Sequence, residues 1–292
     1  MTAHMAGKTV LITGGNSGIG REAAAALAGM GGRVVITSRD PAKGQQALAY
    51  VRDKSGGGSA DLLALDLASF ASIRRAAAEF RERYDQLHVL VNNAGVILSQ
   101  RTETEEGFET TFGVNHLGHF LLSQLLLDRV KASAPARIVN VSSDAHRFAR
   151  KGLNFDELQS RRRYSGMQTY GRSKLANIYF TRELARRLAG TGVTVNAVHP
   201  GSVATGFAQD GDVRGIFSVL FKIARPFLRS PEQGAQTVIY AASAPELEGV
   251  TGRYFKDSRE GGVTTIARDD EAARRLWVVS EEFIAGAGGA SP

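Results

Sequence analysis

The chain has 292 residues, of which 43% are hydrophobic and 22% charged, so it is long enough to bury the core of one large domain. It contains no cysteine, which excludes disulfides, thiolate catalysis and zinc–thiolate sites. The formal charge of +7 favours anionic partners, but no long Lys/Arg block or basic motif with interleaved aromatic residues is present, so we expect no nucleic-acid binding.

Short apolar runs of strand length alternate with longer helical patterns along the chain. Asp40 before Pro41 predicts an N-cap followed by proline in the first helical turn. The predicted strands are 8–14, 33–38, one ending near Asp66, 87–95, 136–143, 192–201 and 251–255. The predicted helices are 21–31, the segment that follows Asp40, 69–84, 105–133, 168–190 and 231–243.

This alternation predicts the fold class. Near-continuous apolar strands between helices are typical of a parallel sheet covered on both faces. No internal repeat or break in composition divides the chain. We therefore expect one α/β domain over residues 1–292, with a Rossmann-type, doubly wound parallel sheet of about seven strands. Two long connections, 144–167 and 204–230, interrupt the alternation, and such connections usually carry function.

The segment TGGNSGIG, residues 13–20, lies between the first strand and the first helix. Gly14 permits a tight exit from the strand, Gly18 lets backbone N–H groups approach a pyrophosphate, and Gly20 permits close helix packing. The N-terminus of the helix would then face the phosphates. The alternative is an ordinary strand-to-helix turn, but the strand–turn–helix context favours a dinucleotide loop. The residues predicted to contact the cofactor here are Gly14, Asn16, Ser17, Gly18, Ile19 and Gly20.

The end of the second strand indicates which dinucleotide is bound. NAD usually needs an acidic residue at this point to hold the ribose hydroxyls. Here Ser38 and Arg39 occupy the position, and Lys43 follows one helical turn later. A guanidinium suits a 2′-phosphate and stacks on adenine, so the sequence favours NADP(H) over NAD(H). Asp40 is the alternative acidic residue, but its place before Pro41 favours a capping role.

Tyr170 and Lys174 lie in the segment YGRSK, four residues apart, and share one face if this segment is helical. A free tyrosine, with a pKa of about 10, is a poor acid–base catalyst at neutral pH. A neighbouring ammonium stabilises the phenolate and lowers that pKa. The pair can therefore donate a proton to a carbonyl or take one from an alcohol; the alternative is a solvated pair on a helix surface.

Seven segments occur in one order: TGGNSGIG, LDLAS, NNAG, VNHLGHF, VNVSS, YGRSK and HPGSVAT. Through them the sequence resembles the short-chain dehydrogenase/reductase family over almost its whole length. The resemblance implies that Tyr170 is the general acid/base and that Lys174 modifies its pKa and binds the nicotinamide ribose. Ser143 matches the residue that hydrogen-bonds the substrate oxygen. Asn115 matches the asparagine that kinks the long helix and anchors a water in the proton relay.

Each of these residues also has a structural interpretation. The alternative for Ser142 and Ser143 is that they merely end a strand, and the alternative for Asn115 is a hydrogen-bonded amide in the core. The resemblance further implies three groups of cofactor contacts. Asp66 and Leu67 would lie beside adenine, and the turn below the cofactor would be formed by Asn92, Asn93, Ala94 and Gly95. The carboxamide and phosphates would be held by Pro200, Gly201, Val203 and Thr205.

His116 and His119 lie on the same predicted helix as Asn115. No third ligand stands at a suitable spacing, so we expect packing or surface roles for both and no metal site.

Tyr170 lies 27 positions after Ser143, more than in many family members, and the extra residues resemble the insertion of the retinol-dehydrogenase-like branch. The segments SKLANIYFTRELARRL, VTVNAVHPG, GRYFKDSRE and ARRLW resemble that branch too. Its members interconvert apolar aldehydes or ketones and alcohols with NADP(H), so we expect a carbonyl reductase or alcohol dehydrogenase. The light-driven protochlorophyllide reductases share the insertion, but they use an active-site cysteine that this chain lacks.

Three other functions stay open: reduction of a C=C bond, ketoreduction that tailors a secondary metabolite, and a non-catalytic NADP(H)-binding regulatory protein. The intact set of Ser143, Tyr170 and Lys174 argues against the last of these.

The connection 204–230 is predicted to be a substrate lid, because its apolar residues could line a pocket; a helix packed on the core and a membrane-surface segment are the alternatives. The resemblance suggests a homodimer or homotetramer through the helices at 105–133 and 168–190. We expect a cytoplasmic protein without a transmembrane segment. We also expect no signal peptide or anchor before the first strand, and the apolar runs are too short to span a bilayer. The lid residues in question are Phe207, Ile216, Phe217, Leu220 and Phe221.

Overall fold

A computed structural model describes residues 4–201 and 229–288 of the chain. Its centre is one eight-stranded sheet with the strand order β3-β2-β1-β4-β5-β6-β7-β8. The first seven strands are parallel, and the two-residue β8 pairs antiparallel with β7. The predicted α/β sheet is confirmed, with one short edge strand more than expected. The strands are β1 Thr9–Ile12, β2 Arg33–Ser38, β3 Ala60–Ala64, β4 Val89–Asn92, β5 Ala136–Val141, β6 Val193–His199, β7 Tyr254–Lys256 and β8 Arg259–Glu260.

Helices cover both faces of the sheet and enclose two separate hydrophobic clusters. Helices α1, α2 and α7 pack on one face, and α3, α5, α6 and α8 pack on the other. The buried strands are apolar on both faces because each face is covered. The helices are α1 Gly18–Gly29, α2 Pro41–Lys54, α3 Phe70–Arg83, α4 Thr110–Phe112, α5 Gly118–Ala132, α6 Gly166–Arg187, α7 Pro231–Ser243 and α8 Asp270–Gly288.

The strand order reverses next to β1. The chain proceeds from β1 outward to β3 and then returns to place β4 on the other side of β1. In such sheets the crevice at the carboxyl ends of the strands flanking the reversal is where ligands bind. The turns after β1 and β4 and the end of β5 all open at this edge of the sheet.

The helix predicted at 105–133 is interrupted and starts later than expected. Residues 103–109 form a tight loop closed by a bridge between Glu103 and Glu109, with Gly107 at a φ of +81°. The Glu109 carboxylate then caps α4 by accepting hydrogen bonds from the two backbone N–H groups that follow Thr110. A π-helical segment, Gly113–Leu117, separates α4 from α5.

Three further features differ from the sequence prediction or lie outside it. Helix α8 was not predicted. The connection 144–167 contains two 3-10 turns, Asp144–Phe148 and Phe155–Glu157. Most of the predicted lid falls outside the described residues. Among the helices that the structure describes, none is long and apolar enough to cross a membrane.

Candidate active site

The end of β5 and the start of α6 bring three of the four predicted catalytic side chains together. Ser143 follows β5, and Tyr170 and Lys174 lie one turn apart on α6. The Tyr170 and Ser143 side chains are hydrogen-bonded to each other. Gly171 lets α6 pack closely on the chain after β5, because a Cβ at this position would lie 2.6 Å from the carbonyl oxygen of Ala145. Packing thus joins residues that are 27 positions apart.

Lys174 is held in the interior by backbone groups. The residue is 2% exposed, and its Nζ donates to the carbonyl oxygen of Val141 at 3.1 Å. The hydroxyl of Ser142 donates to the Lys174 carbonyl at 2.7 Å, which fixes this turn of α6 against β5. Burial lowers the pKa of Lys174 from 10.5 to about 8. The ammonium therefore titrates close to neutral pH.

The pKa of Tyr170 moves in the direction opposite to the one expected from the sequence. Burial raises it to about 12, and the hydrogen bond with Ser143 only partly opposes this. The reason is geometric: the Lys174 Nζ lies 5.4 Å from the centre of the phenol ring and donates to a backbone carbonyl. In this arrangement Tyr170 is a protonated phenol at neutral pH and can act as a proton donor.

Asn115 lies in the π-helical segment, so the helix distortion expected from the resemblance is present. Its side chain is fully buried, accepts from the Val96 N–H at 2.7 Å and donates to the Val96 carbonyl at 3.0 Å. It also donates to Ser173 Oγ at 2.9 Å, and that hydroxyl donates to the Tyr170 carbonyl at 2.8 Å. Asn115 therefore joins the chain after β4 to α6 at Ser173.

The glycine loop has the geometry of a phosphate site. Gly14 and Gly18 have φ values of +64° and +53°, which favour glycine. A Cβ at Gly20 would contact the Gly14 carbonyl and lie 2.5 Å from Asn93 Nδ2. Ser17 is the N-cap of α1, yet its side chain makes no capping hydrogen bond, so the first N–H groups of the helix can bind an anion.

Thr13 is a site residue that the sequence analysis did not single out. Its side-chain oxygen accepts from the N–H groups of Asn93 at 2.9 Å and Ala94 at 3.0 Å, and so joins the turn after β1 to the turn after β4. The signal was available, since Thr13 is the first letter of TGGNSGIG. The neighbouring Asn92 points into the core and donates to Ser123 and Asn140, so its side chain supports the sheet.

At the end of β2 the capping interpretation of Asp40 is confirmed. Its Oδ1 accepts from the N–H groups of Ala42 at 2.9 Å and Lys43 at 3.1 Å. Ser38 is buried, and its hydroxyl donates to the Asp40 carbonyl at 2.7 Å. Arg39 and Lys43 are exposed at this edge. The Asp40 carboxylate therefore caps α2, whereas the Arg39 and Lys43 side chains are exposed.

The remaining predicted cofactor residues lie in turns at the carboxyl ends of the strands or outside the described part. Asp66 Oδ1 accepts from the Ala68 N–H at 2.9 Å and shapes the turn after β3. A Cβ at Gly118 would lie 2.7 Å from the Leu67 carbonyl, so α5 packs directly on this turn. Gly95 follows the turn after β4. Pro200 and Gly201 follow β6, and Gly201 has a φ of +88°. Val203, Thr205 and the five apolar lid residues lie outside the described residues.

These residues fit a nicotinamide dinucleotide. The uncapped start of α1 suits the phosphates, and the Gly20 position leaves no room for a side chain beneath the loop. Arg39 lies at the ribose position at the end of β2, and the Tyr170–Lys174 pair lies beyond β5. This is the order along the sheet edge that an extended dinucleotide needs.

His116 and His119 are both buried and bonded within the protein. His116 Nε2 lies 2.9 Å from Ser280 Oγ, and His119 Nε2 lies 2.8 Å from Thr13 Oγ1. Burial lowers the pKa of His116 to about 3 and that of His119 to about 4. Within 4–201 and 229–288 no cluster of three possible metal ligands occurs.

Comparisons with known proteins agree with this geometry. A family model described as short chain dehydrogenase matches residues 8–212. Retinol dehydrogenase 14 of Homo sapiens is 47% identical over 294 residues, covering 96% of this chain and 87% of that protein. Retinol dehydrogenase 12 of Mus musculus is 47% identical over 278 residues, covering 95% of this chain and 86% of that protein.

Solved structures agree as well. An uncharacterized protein from Mycobacterium paratuberculosis has a TM-score of 0.77 and 34% identity, with 98% of this chain and 97% of that chain covered. A short chain dehydrogenase from Burkholderia cenocepacia in complex with NADP has a TM-score of 0.68 and 28% identity, with 86% and 96% covered. The chain therefore belongs to the short-chain dehydrogenase/reductase family of oxidoreductases, in its retinol-dehydrogenase-like branch.

Proposed function

We propose that this protein is an NADP(H)-dependent oxidoreductase that interconverts an apolar aldehyde or ketone and its alcohol, with Tyr170 as the general acid/base. The observation that carries the proposal is the meeting of Ser143, Tyr170 and Lys174 at the same edge of the sheet as the glycine loop. When bound, the reduced nicotinamide supplies the hydride.

The protein's own residues provide the proton and hold the substrate oxygen. The Tyr170 phenol, protonated at neutral pH because burial raises its pKa to about 12, donates its proton to the carbonyl oxygen. The Ser143 hydroxyl, already fixed beside the phenol and bonded to the Ala145 N–H at 3.1 Å, donates to the same oxygen as negative charge develops. Lys174, buried behind the ring, offers a positive charge that stabilises the phenolate left after transfer.

NADP(H) is supported by the charges at the end of β2. Arg39 and Lys43 are exposed there, whereas the Asp40 carboxylate caps α2. A guanidinium at this position binds a 2′-phosphate. The Burkholderia cenocepacia structure in complex with NADP shares the fold.

An apolar substrate is supported by the relatives, which are named retinol dehydrogenases. A ketoreductase that tailors a secondary metabolite would use the same residues. Identifying the product formed from each member of a carbonyl panel distinguishes this function from the proposed one. If the protein were a non-catalytic NADP(H)-binding protein, it would bind the cofactor but turn over no member of that panel.

The decisive experiment replaces Tyr170 with phenylalanine. Tyr170→Phe keeps the ring but removes the proton, so kcat with NADPH and the best substrate of an apolar carbonyl panel should fall by about 100-fold or more. Affinity for NADPH, measured by fluorescence titration, should change little.

Tyr179→Phe is the matched control. Tyr179 lies on the same helix, is 1% exposed, and donates its phenol proton to the Ile266 carbonyl at 2.8 Å, away from the site. It should turn over substrate as the unmodified protein does. Unchanged kcat in Tyr170→Phe contradicts the proposed mechanism.

A further inference from the structure

His119 is a buried, titratable residue that the mechanism above does not use. Its imidazole is 2% exposed and bridges two parts of the site. Nε2 lies 2.8 Å from Thr13 Oγ1, at the end of β1, and Nδ1 lies 3.1 Å from the backbone carbonyl oxygen of Asn115. The positions of the protons in this bridge can be deduced from the partners of each atom.

The partners of Thr13 decide the direction of its hydrogen bond with His119. A hydroxyl has one proton to donate and two lone pairs. Thr13 Oγ1 already accepts from the N–H groups of Asn93 and Ala94, at 2.9 and 3.0 Å. Both lone pairs are engaged, so in the 2.8 Å contact the hydroxyl must donate to His119 Nε2. The competing acceptor, the Val91 carbonyl, is more distant at 3.4 Å.

The second nitrogen must then carry the proton. A backbone carbonyl only accepts, so the contact of Nδ1 with Asn115 is a hydrogen bond only if Nδ1 is protonated. The imidazole is therefore neutral, with its proton on Nδ1. Burial keeps it neutral by lowering its pKa to about 4; the bond to Asn115 opposes this, and the charge of Lys174 adds to it. His116 is the other titratable group in electrostatic contact with it.

The two atoms that His119 joins belong to different halves of the site. Thr13 holds the turn after β4, which carries the predicted cofactor residues Asn93 and Ala94. Asn115 belongs to the π-helical segment, and its side chain reaches Ser173, whose hydroxyl bonds the Tyr170 carbonyl. His119 thus connects the cofactor turn with the helix that presents the phenol.

We propose that His119 is a positioning residue: a neutral imidazole, protonated on Nδ1, that ties the carboxyl end of β1 to the Asn115 carbonyl and so sets the position of Tyr170 relative to the cofactor turn. The effect on turnover rests on the proposed function, whereas the protonation state does not. Removing the imidazole leaves a buried hydroxyl and a buried carbonyl without this partner, so the π-helical segment relaxes and the phenol is displaced. Cofactor binding changes little, since the glycine loop keeps its other contacts.

The protonation state is tested by NMR on protein labelled with 15N-histidine. His119 should show a neutral Nδ1–H imidazole that does not titrate between about pH 6 and 8. His116 should show the opposite tautomer in the same spectrum. The Ser280 hydroxyl donates to the Leu276 carbonyl at 2.7 Å, so His116 Nε2 must donate to Ser280. Signals are assigned with His119→Asn and His116→Phe. A protonated Nε2 at His119 overturns the proposal.

Kinetics test the positioning role. His119→Phe keeps a ring but neither hydrogen bond, and should lower kcat about tenfold with the KM for NADPH within about twofold. His119→Asn keeps a donor at the δ position and should restore most of kcat. His116→Phe is the matched control, because His116 is 1% exposed and lies three positions earlier in the chain, but hydrogen-bonds Ser280 of α8; it should leave kcat unchanged.

The proposal is overturned if His119→Phe keeps the unmodified kcat, if His119→Asn falls as far as His119→Phe, or if His116→Phe falls equally. Where His119→Phe does not fold, the tautomer in the unmodified protein decides. Absence of turnover in the unmodified protein contradicts the proposed function, and the tautomer still tests the bridge.

Discussion

At the scale of single residues, local hydrogen bonds at the end of β2 determine whether the Asp40 carboxylate is available to a cofactor. Asp40 has the acidic side chain that NAD recognition requires, but its Oδ1 is bonded to two backbone N–H groups at the start of α2. Arg39, the residue before it, is exposed. The proposed preference for NADP(H) therefore depends on Arg39, whose guanidinium would bind the 2′-phosphate of the adenosine ribose.

Arg39→Ala should lower kcat/KM for NADPH by about tenfold and leave the value for NADH nearly unchanged, because only NADPH carries the 2′-phosphate. Steady-state kinetics with both cofactors and one substrate measure this. Arg33→Ala is the control, since Arg33 is exposed at the opposite end of the same strand and pairs with Asp61 at 3.1 Å. Equal losses for NADPH and NADH in Arg39→Ala would show that the guanidinium does not read the phosphate.

At the scale of elements, α8 covers the face shared by α5 and α6. The centre of the Trp277 ring lies 4.8 Å from that of Phe120 and 6.1 Å from that of Phe180, and the Arg187 guanidinium lies over the Trp277 ring, 4.1 Å from its centre. The helix is anchored at its start by Asp270, which pairs with Arg182 at 2.7 Å. The helices expected to mediate a homodimer or homotetramer are thus packed against α8 within the chain. The oligomer itself stays a prediction.

Ending the chain after Asp269 should expose the aromatic surface beneath α8. A contiguous apolar patch of this kind promotes association. We expect the truncated protein to bind a hydrophobic dye and to show a higher mass than the full chain by light scattering. Val278→Arg is the control, because Val278 is 48% exposed on α8 and its replacement should leave the mass unchanged. A truncated protein with unchanged mass and dye binding would contradict this role of α8.

At the scale of the whole molecule, the site costs stability. Lys174 is among the largest fully buried side chains, and its pKa falls from 10.5 in the unfolded reference to about 8 in the fold. The unfolded chain therefore binds more protons than the folded one between these values, so stability rises with pH over this range. Below about pH 8 the cost of burying the ammonium is fully present.

Lys174→Met removes that cost and should unfold at a higher temperature than the unmodified protein at pH 7, with a gain of up to about 3 kcal/mol in the free energy of unfolding. The gain should shrink as the pH rises from about 8 toward 10.5, because the lysine is then neutral in both states. Thermal unfolding across this range measures it. Lys151→Met, at an exposed position, should show no such trend. Parallel curves for Lys174→Met and the unmodified protein would contradict burial of a charge.

The sequence alone determined the features that depend on neighbouring residues in the chain. The alternation of strands and helices, the glycine loop, the Asp40 cap and the order of the motifs are local patterns, and the described residues bear them out. The family motifs also predicted that Ser143 and Tyr170 belong to one site, although they lie 27 positions apart.

Only the tertiary structure decided the features that arise from packing. The pKa values of Tyr170 and Lys174 follow from burial, which no spacing of residues encodes. The bridge from Thr13 through His119 to Asn115 joins residues up to 106 positions apart. Helix α8 likewise packs on α5, which is far from it in the sequence. Ionisation and long-range hydrogen bonds depend on which atoms exclude water from one another, and the fold alone determines that.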